Sequence, residues 1–537
     1  MKAIQRGLAQ CAAAALCLSP LAQTARAQTD KQKREFEKAL TESPCKPGSP
    51  DYPDYPFSVD RLARALKING VWPQQVHVLV VDNGFIGYRQ RVSQDEGPSF
   101  TESNNYPIRF FDVLREKELL PFLDFEDAGL SRQDEADPMK GHGTHVGGIV
   151  LGGMYQKGTP KAGGDNLLEP NVRRLLLDNP NVEKAQDAKP WLTLRFVPLG
   201  YGSGAAATDP VDKLKKALEK GESASATIVN MSLARTLTSF STPYALPETL
   251  RKDVLVILAA GNATMQLERD INALPAKLEA SEQLLIVGSH DADGKLSHFS
   301  NYGDPVAIAA PGCQIQSWPN GDGAPQALSG TSMSTAVVTF AAALVRSQWG
   351  AVRGAALRHR LLVSARYESQ LAQCDRAKAQ TNVDTDPKEC VSGGAMLDIE
   401  AAVIVRKDLI EYEECPGDSG KNCTRLTAVG NLSTVPQSIA GCIYPRPYPS
   451  MGYAGLTYNG AVKRIAKGRY AIASEAGQEV GRVPLRWDPC PVPEANSSDL
   501  ILFDVTGLQL GGNTVDVPQR REIKISQLHR IVTRVKP

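Results

Sequence analysis

The pattern of apolar and polar positions changes texture twice along the chain. From Val71 onward, short apolar runs alternate with helical stretches. Val76-His77-Val78-Leu79-Val80-Val81 reads as a strand, as do residues 226–231, 254–258 and 284–287. Residues 211–219 and 333–349 carry helical spacing between and after them. Strands that are apolar on both faces and alternate with helices predict an α/β fold, a parallel sheet covered by helices on both faces. Near Arg406 the texture changes again: residues 411–423 are acidic and then rich in Gly, Ser and Asn, which reads as a boundary or exposed loop. Beyond it, runs at 469–472, 500–505 and 522–525 are separated by Gly and Pro and predict a smaller β-rich C-terminal domain.

The beginning of the chain has a different character. Lys2 and Arg6 precede an apolar run over residues 8–21, followed by Ala25-Arg26-Ala27. A basic start, a short apolar core and small residues at a cleavage point are the marks of a secretory signal peptide, and the run is too short for a permanent membrane anchor. No later run reads as a membrane span, so none is expected after signal removal. Residues 31–40 read as a charged helix and residues 44–57 as extended. The expected organisation is therefore a signal peptide (1–27), an N-terminal extension (28–70), a main α/β domain (71–405) and a smaller β-rich domain (406–537).

Composition narrows the classes further. The 537 residues are 42% hydrophobic and 22% charged, ordinary for a soluble globular protein. A net charge of +1 gives no overall pull toward nucleic acid, and no nucleic-acid partner is expected. Eight cysteines follow the signal: Cys45, Cys313, Cys374, Cys390, Cys415, Cys423, Cys442 and Cys490. With no Cys-x-x-Cys or compact Cys/His cluster, disulfides in an oxidising compartment are the better reading than metal. The short-range pairs Cys374/Cys390 and Cys415/Cys423 are the preferred local bridges.

Three segments carry chemistry. Val80-Val81-Asp82-Asn83-Gly84 places an acid at the end of a buried strand. Gly141-His142-Gly143-Thr144-His145-Val146-Gly147-Gly148 opens a Gly-rich helix, and Gly330-Thr331-Ser332-Met333-Ser334 opens an apolar one. A serine hydroxyl is a poor nucleophile near neutral pH and needs a base. Histidine has a suitable pKa, and a carboxylate fixes its tautomer and stabilises the imidazolium. A serine at a helix N-terminus also has free backbone N–H groups beside it. His142 and His145 lack the third ligand and the glutamate of a zinc peptidase, so no metal is assigned, and His145 is expected to pack structurally.

The order Asp, His, Ser and the motifs around them resemble the subtilisin-like serine peptidases (subtilases), over roughly residues 76–346. Val229-Asn230-Met231-Ser232-Leu233 resembles the family's cleft strand, and Leu258-Ala259-Ala260-Gly261-Asn262 its oxyanion segment. Phe299-Ser300-Asn301-Tyr302-Gly303 and Ala309-Ala310-Pro311-Gly312 match the approach to the serine. The resemblance implies a subtilisin-like parallel sheet and an endopeptidase acting on polypeptides through an acyl-enzyme. Asp82, His142 and Ser332 would be the triad and Asn262 the oxyanion-hole donor. No cofactor is implied for the chemistry. Calcium sites, frequent in the family, match no motif here, and nothing in the residues speaks to oligomeric state. The signal resembles a bacterial export signal, so periplasm or medium is the expected location.

The sequence also departs from the family. Asn83 stands where Ser or Thr is usual, Ala336 where proline is, and Ala234-Arg235 where two glycines are. Side chains at 234 and 235 are expected to narrow or redirect the cleft. Residues 152–189 read as an insertion, and Asp134, Glu135 and Asp137 stand just before His142. The competing readings are a non-catalytic binding protein on the same scaffold, and a chain whose main function lies in the C-terminal region.

Overall fold

The computed structural model describes residues 59–71, 74–82, 141–151, 192–198, 226–232, 250–267, 283–303, 305–317, 326–372, 390–391, 394–415, 423–434, 461–466, 469–473, 479–481, 500–509, 519–524 and 527–532, with a few shorter pieces between them. The predicted signal, the helix at 31–40, most of that at 211–219, all of the insertion at 152–189 but residues 155–156, the acids at 134–137 and residues 234–235 lie outside the described residues.

The α/β part is built on one sheet. Its strands are β1 (Val76–Asp82), β2 (Asp124–Phe125), β3 (Leu192–Pro198), β4 (Ile228–Met231), β5 (Leu255–Ala259), β6 (Leu284–His290), β7 (Ile308–Pro311), β8 (Arg366–Tyr367) and β9 (Ala395–Met396). They lie in the order β8-β9-β7-β6-β5-β4-β1-β3-β2. Every pairing is parallel except that of β8 with β9 at one edge. Every residue of β4 and β5 is buried, so both faces of the sheet are covered, as all-parallel sheets require.

The chain order reverses around β1. It runs outward to β3 on one side, then crosses to β4 and continues through β5, β6 and β7 on the other. Ligands of open parallel sheets bind beyond the carboxyl ends of the strands at such a reversal. The residue at that end of β1 is Asp82.

Five helices matter to the argument: α1 (Val59–Asn69), α2 (His142–Val150), α3 (Thr331–Gln348), α4 (Gly354–Ser364) and α5 (Ile399–Val403). All residues of α3 are buried, which explains a sequence apolar nearly all round. Ala336 sits fully buried within it. α2 is also wholly buried, although three glycines in nine residues make it a poor helix former, at about 1 kcal/mol each relative to alanine. α2 packs against α3 and β1, so tertiary packing overrides propensity.

The C-terminal strands are β10 (Asp408–Glu414), β11 (Thr424–Thr434), β12 (Leu500–Gln509), β13 (Gln519–Lys524) and β14 (Leu528–Val532). They form an antiparallel sheet in the order β13-β12-β11-β10-β14. A separate three-stranded antiparallel sheet joins Ala461–Ala466, Arg469–Ala473 and Glu479–Gly481. The acidic start of the stretch expected to be a loop, residues 411–414, is strand: Glu411 is buried in β10, and its carboxylate accepts from Arg425 Nη2 at 2.7 Å. The composition misleads there because a cross-strand arginine compensates the buried charge. Cys415 and Cys423 close this hairpin as a disulfide. Cys313 and Cys390 are also disulfide-bonded, while Cys374 lies outside the described residues.

The end of the N-terminal extension belongs to this architecture. Leu62 and Leu66 of α1 enter the main core, and Ala65 packs with Ala401, Ile404, Leu409, Val429 and Val532. Asn69 Nδ2 donates to the Val403 carbonyl at 2.7 Å and to Gln348 Oε1 at 3.3 Å, and its Oδ1 accepts from the Val405 amide at 3.2 Å. α1 therefore ties α3, α5 and the C-terminal sheet together.

Candidate active site

The four candidate side chains come from four separate elements around the sheet reversal. Asp82 ends β1, His142 begins α2, Asn262 follows β5, and Ser332 lies in the first turn of α3. α2 begins where it does because Gly141 adopts φ 78°, a left-handed conformation that caps the helix without a side-chain penalty. That turn sets His142 against the end of β1. His142 Nδ1 lies 2.8 Å from Asp82 Oδ1, and both side chains are buried. His145, one turn further along, is fully buried, and its carbonyl accepts from Ser317 Oγ at 2.8 Å.

Asn262 is oriented by its neighbour in space. Its Oδ1 accepts from both the backbone amide and the hydroxyl of Thr331, each at 2.9 Å. The amide nitrogen Nδ2 is buried and makes no hydrogen bond among the described residues. A side chain added at Gly330 would come within 3.2 Å of that nitrogen, which places it beside the turn that carries Ser332. The loop bearing Asn262 is fixed in turn by Asn301, whose Nδ2 donates to the Ala260 carbonyl at 2.8 Å.

Ser332 is fully buried at the start of α3. Its hydroxyl donates to the Ser232 carbonyl at 3.0 Å rather than to His142, and the Ser232 hydroxyl donates to the Ser332 carbonyl at 3.0 Å. Serine–base hydrogen bonds are often made only once substrate is bound, so this resting contact leaves the chemistry open. The serine turn packs tightly: a side chain at Gly312 would collide with Ser334 Oγ, Ser289 Oγ and the Gly330 carbonyl, while the Gly330 amide donates to the Gly312 carbonyl at 2.8 Å.

A row of buried polar groups links these parts. Asn230 Nδ2 donates to Thr339 Oγ1 at 2.9 Å, and its Oδ1 accepts from Ser232 Oγ at 3.0 Å. Thr339 and Thr335 donate to the carbonyls one turn back, at 2.8 and 2.7 Å. Sequence reasoning identified Asn230 only as part of a motif and missed the roles of Thr331, Thr335 and Thr339. Their signal was present: threonines at 331, 335 and 339 recur every fourth residue and so share one face of an otherwise apolar helix. The arrangement offers a carboxylate–imidazole pair, a helix-start hydroxyl, the first N–H groups of α3 and an oriented amide donor, the parts needed for acyl transfer.

Residues 124–388 match the family described as the subtilase family. Over that span, just under half of its length, the chain is a subtilase. The matched span begins after Asp82; in this subtilase the parallel sheet and the His142 contact bring that residue to the others. The halolysin-like extracellular serine protease Nep of Natrialba magadii is 29% identical over 262 residues, covering 47% of this chain and 42% of the relative. A thermostable alkaline protease of Halalkalibacterium halodurans is 34% identical over 140 residues, covering 26% of this chain and 37% of the relative. The subtilase thus spans about two fifths of the length of these curated relatives. Among solved structures it is similar to the prenylagaramide maturation protease PagA, at 22% identity and a TM-score of 0.38, covering 64% of this chain and 97% of that one.

Proposed function

We propose that this chain is an exported serine endopeptidase that hydrolyses polypeptides through an acyl-enzyme. Ser332 Oγ attacks the scissile carbonyl carbon while its proton passes to His142 Nε2. Asp82 holds the Nδ1 side of the ring and stabilises the imidazolium. The carbonyl oxygen, now anionic, takes hydrogen bonds from Asn262 Nδ2 and the Ser332 amide. His142 then protonates the leaving amine, the C–N bond breaks, and water repeats the sequence on the ester to free the acid. Side chains and water carry every step, with none routed through a metal or an organic cofactor.

The observation that carries this reading is the oriented amide of Asn262. A buried N–H donor without a partner costs on the order of 1–3 kcal/mol, and two hydrogen bonds from Thr331 hold this one in that condition. A substrate oxygen at the serine turn would satisfy it. The same constraint argues against glycosylation of the Asn262-Ala263-Thr264 sequon. Before Ser332 can react, its hydroxyl must rotate from the Ser232 carbonyl toward His142.

The export reading rests on the signal-like pattern over residues 1–27 and on the disulfides, which persist in oxidising compartments. The extracellular relative from Natrialba magadii agrees with it. Periplasm or medium of a bacterium is the proposed location, and unfolded or flexible polypeptides are the proposed substrates. The test is degradation of an unfolded protein by the mature chain and by Ser332→Ala. Cleavage by the parent alone supports the reading; equal cleavage by both, or by neither, contradicts it.

A further inference from the structure

The fully buried strand β4 carries a polar side chain, Asn230, and the fully buried helix α3 presents a hydroxyl to it, Thr339. Burying an amide and a hydroxyl costs free energy unless they pair, and apolar residues of the same shape at both positions would hold strand and helix together about as well. Cohesion alone therefore does not explain the pair. Thr339 follows Ser332 by seven residues, about 10 Å along the helix axis, so it acts at a distance from the reacting atoms.

The hydrogen bonds along this row have a fixed sense. The Thr335 carbonyl can only accept, and the Thr339 hydroxyl donates its one proton to it at 2.8 Å. Such a bond one turn back is common for a threonine in a helix. The second bond sets Thr339 apart. Its oxygen is left as an acceptor, so Asn230 must turn Nδ2 toward it, at 2.9 Å. Asn230 Oδ1 then faces Ser232 Oγ at 3.0 Å. Ser232 has one hydroxyl proton for two acceptors, Asn230 Oδ1 and the Ser332 carbonyl, both 3.0 Å away. Its own carbonyl receives the Ser332 hydroxyl at 3.0 Å. Ser232 is thus joined to the nucleophile residue at two points. Asn230, Ser232, Ser332 and Thr339 are all fully buried, so bulk water does not replace a lost partner.

We infer that Thr339 is a positioning residue for the nucleophile, acting through Asn230 and Ser232. Its hydroxyl decides which way the Asn230 amide faces, and the amide in turn sets the seat on which the Ser332 hydroxyl waits. The inference rests on the endopeptidase reading above. Without that hydroxyl, Asn230 Nδ2 is a buried donor with no acceptor, and the amide turns or shifts to find one. Ser232 Oγ then meets a donor in place of an acceptor, its proton goes to the Ser332 carbonyl alone, and the seat moves relative to His142. Attack geometry is sensitive to such displacements, whereas the Asp82–His142 pair and Asn262 keep their own partners.

The test uses the full mature chain as parent, Thr339→Val, Thr339→Ser, Ser232→Ala and the double variant Thr339→Val/Ser232→Ala. Each is titrated with a fluorophosphonate to count reactive Ser332, so that a partly unfolded variant loses sites rather than rate per site. The labelling rate constant, and kcat and KM on one peptide, are then compared per labelled site. Thr339→Val should slow labelling and kcat together by about ten-fold, with KM within about two-fold of the parent. Thr339→Ser, which keeps the hydroxyl, should stay within about two-fold in all three. The double variant should be no slower than the slower single variant, because both changes cut one relay. A Thr339→Val enzyme with the parent's rate per site would overturn the inference, as would a Thr339→Ser enzyme as slow as Thr339→Val. Losses that multiply in the double variant would also overturn it, since Thr339 would then act by a route other than Ser232. All three results leave the endopeptidase reading intact; a parent that does not label would remove that reading, and this assignment with it.

Discussion

The α/β part and the C-terminal sheet hold themselves together by different means. Around the site, polar side chains are buried and bonded to residues far away in sequence: Asn230 to Thr339, Asn262 to Thr331, Asn301 to Ala260. In the C-terminal sheet, the buried Glu411 apart, the ion pairs are at least partly exposed: Arg520 meets Asp504 on the neighbouring strand, and Arg521 of β13 meets Glu414 of β10. Buried pairs leave uncompensated partners when cut and therefore fix a unique geometry. Exposed pairs are worth little. The region that must hold atoms within tenths of an ångström uses the first kind.

Predictions drawn from this contrast run from large to small. Ser332→Ala or His142→Ala should lower kcat by about 10^6, the size known for subtilisin's own serine and histidine. Asn262→Ala should lower kcat by about 10^2–10^3, again the size measured in subtilisin, with KM nearly unchanged. Thr331→Val, which removes one of two bonds orienting that amide, should lower kcat by a smaller factor, about ten-fold. An equal KM rise in its place would show that Thr331 serves binding rather than donor orientation.

Stability sharpens the same contrast. Asn69→Ala strips partners from the buried Val403 and Val405 backbone groups and should cost about 2–3 kcal/mol in urea unfolding. Arg520→Ala, cutting an exposed pair, should stay within about 0.5 kcal/mol. Comparable losses for the two would erase the distinction between the regions.

A pH effect follows from His290 at the end of β6. Desolvation first holds its pKa below the ordinary value, opposed by the Asp291 carbonyl it contacts at 2.7 Å and by the Asp291 and Glu368 charges. The unfolded chain therefore binds the proton more readily. Stability is full above about pH 6.5 and falls as pH drops below it, with a slope of at most about 1.4 kcal/mol per unit. Thermal melting between pH 7 and 5 should show that fall, and His290→Asn should flatten it.

Much of this was legible in the residues. The strands β1, β4, β5 and β6 and the helix α3 follow from apolar runs whose periods local physics dictates, and the site motifs stand at their ends. The bonds that orient the site were harder to see, because Asn262 and Thr331 are 69 residues apart and neither names the other. Glu411 was misread for the same reason: its burial depends on Arg425 across a hairpin. The structural role of α1 was hidden too, since Ala65 and Asn69 meet partners more than 300 residues away.

The most direct test of the central claim is to react the folded mature chain with a fluorophosphonate and locate the adduct by peptide mass spectrometry. The account predicts one adduct, on Ser332, with labelling abolished in His142→Ala and strongly slowed in Asn262→Ala. Labelling at another residue, or at Ser332 with a rate indifferent to His142, would contradict it.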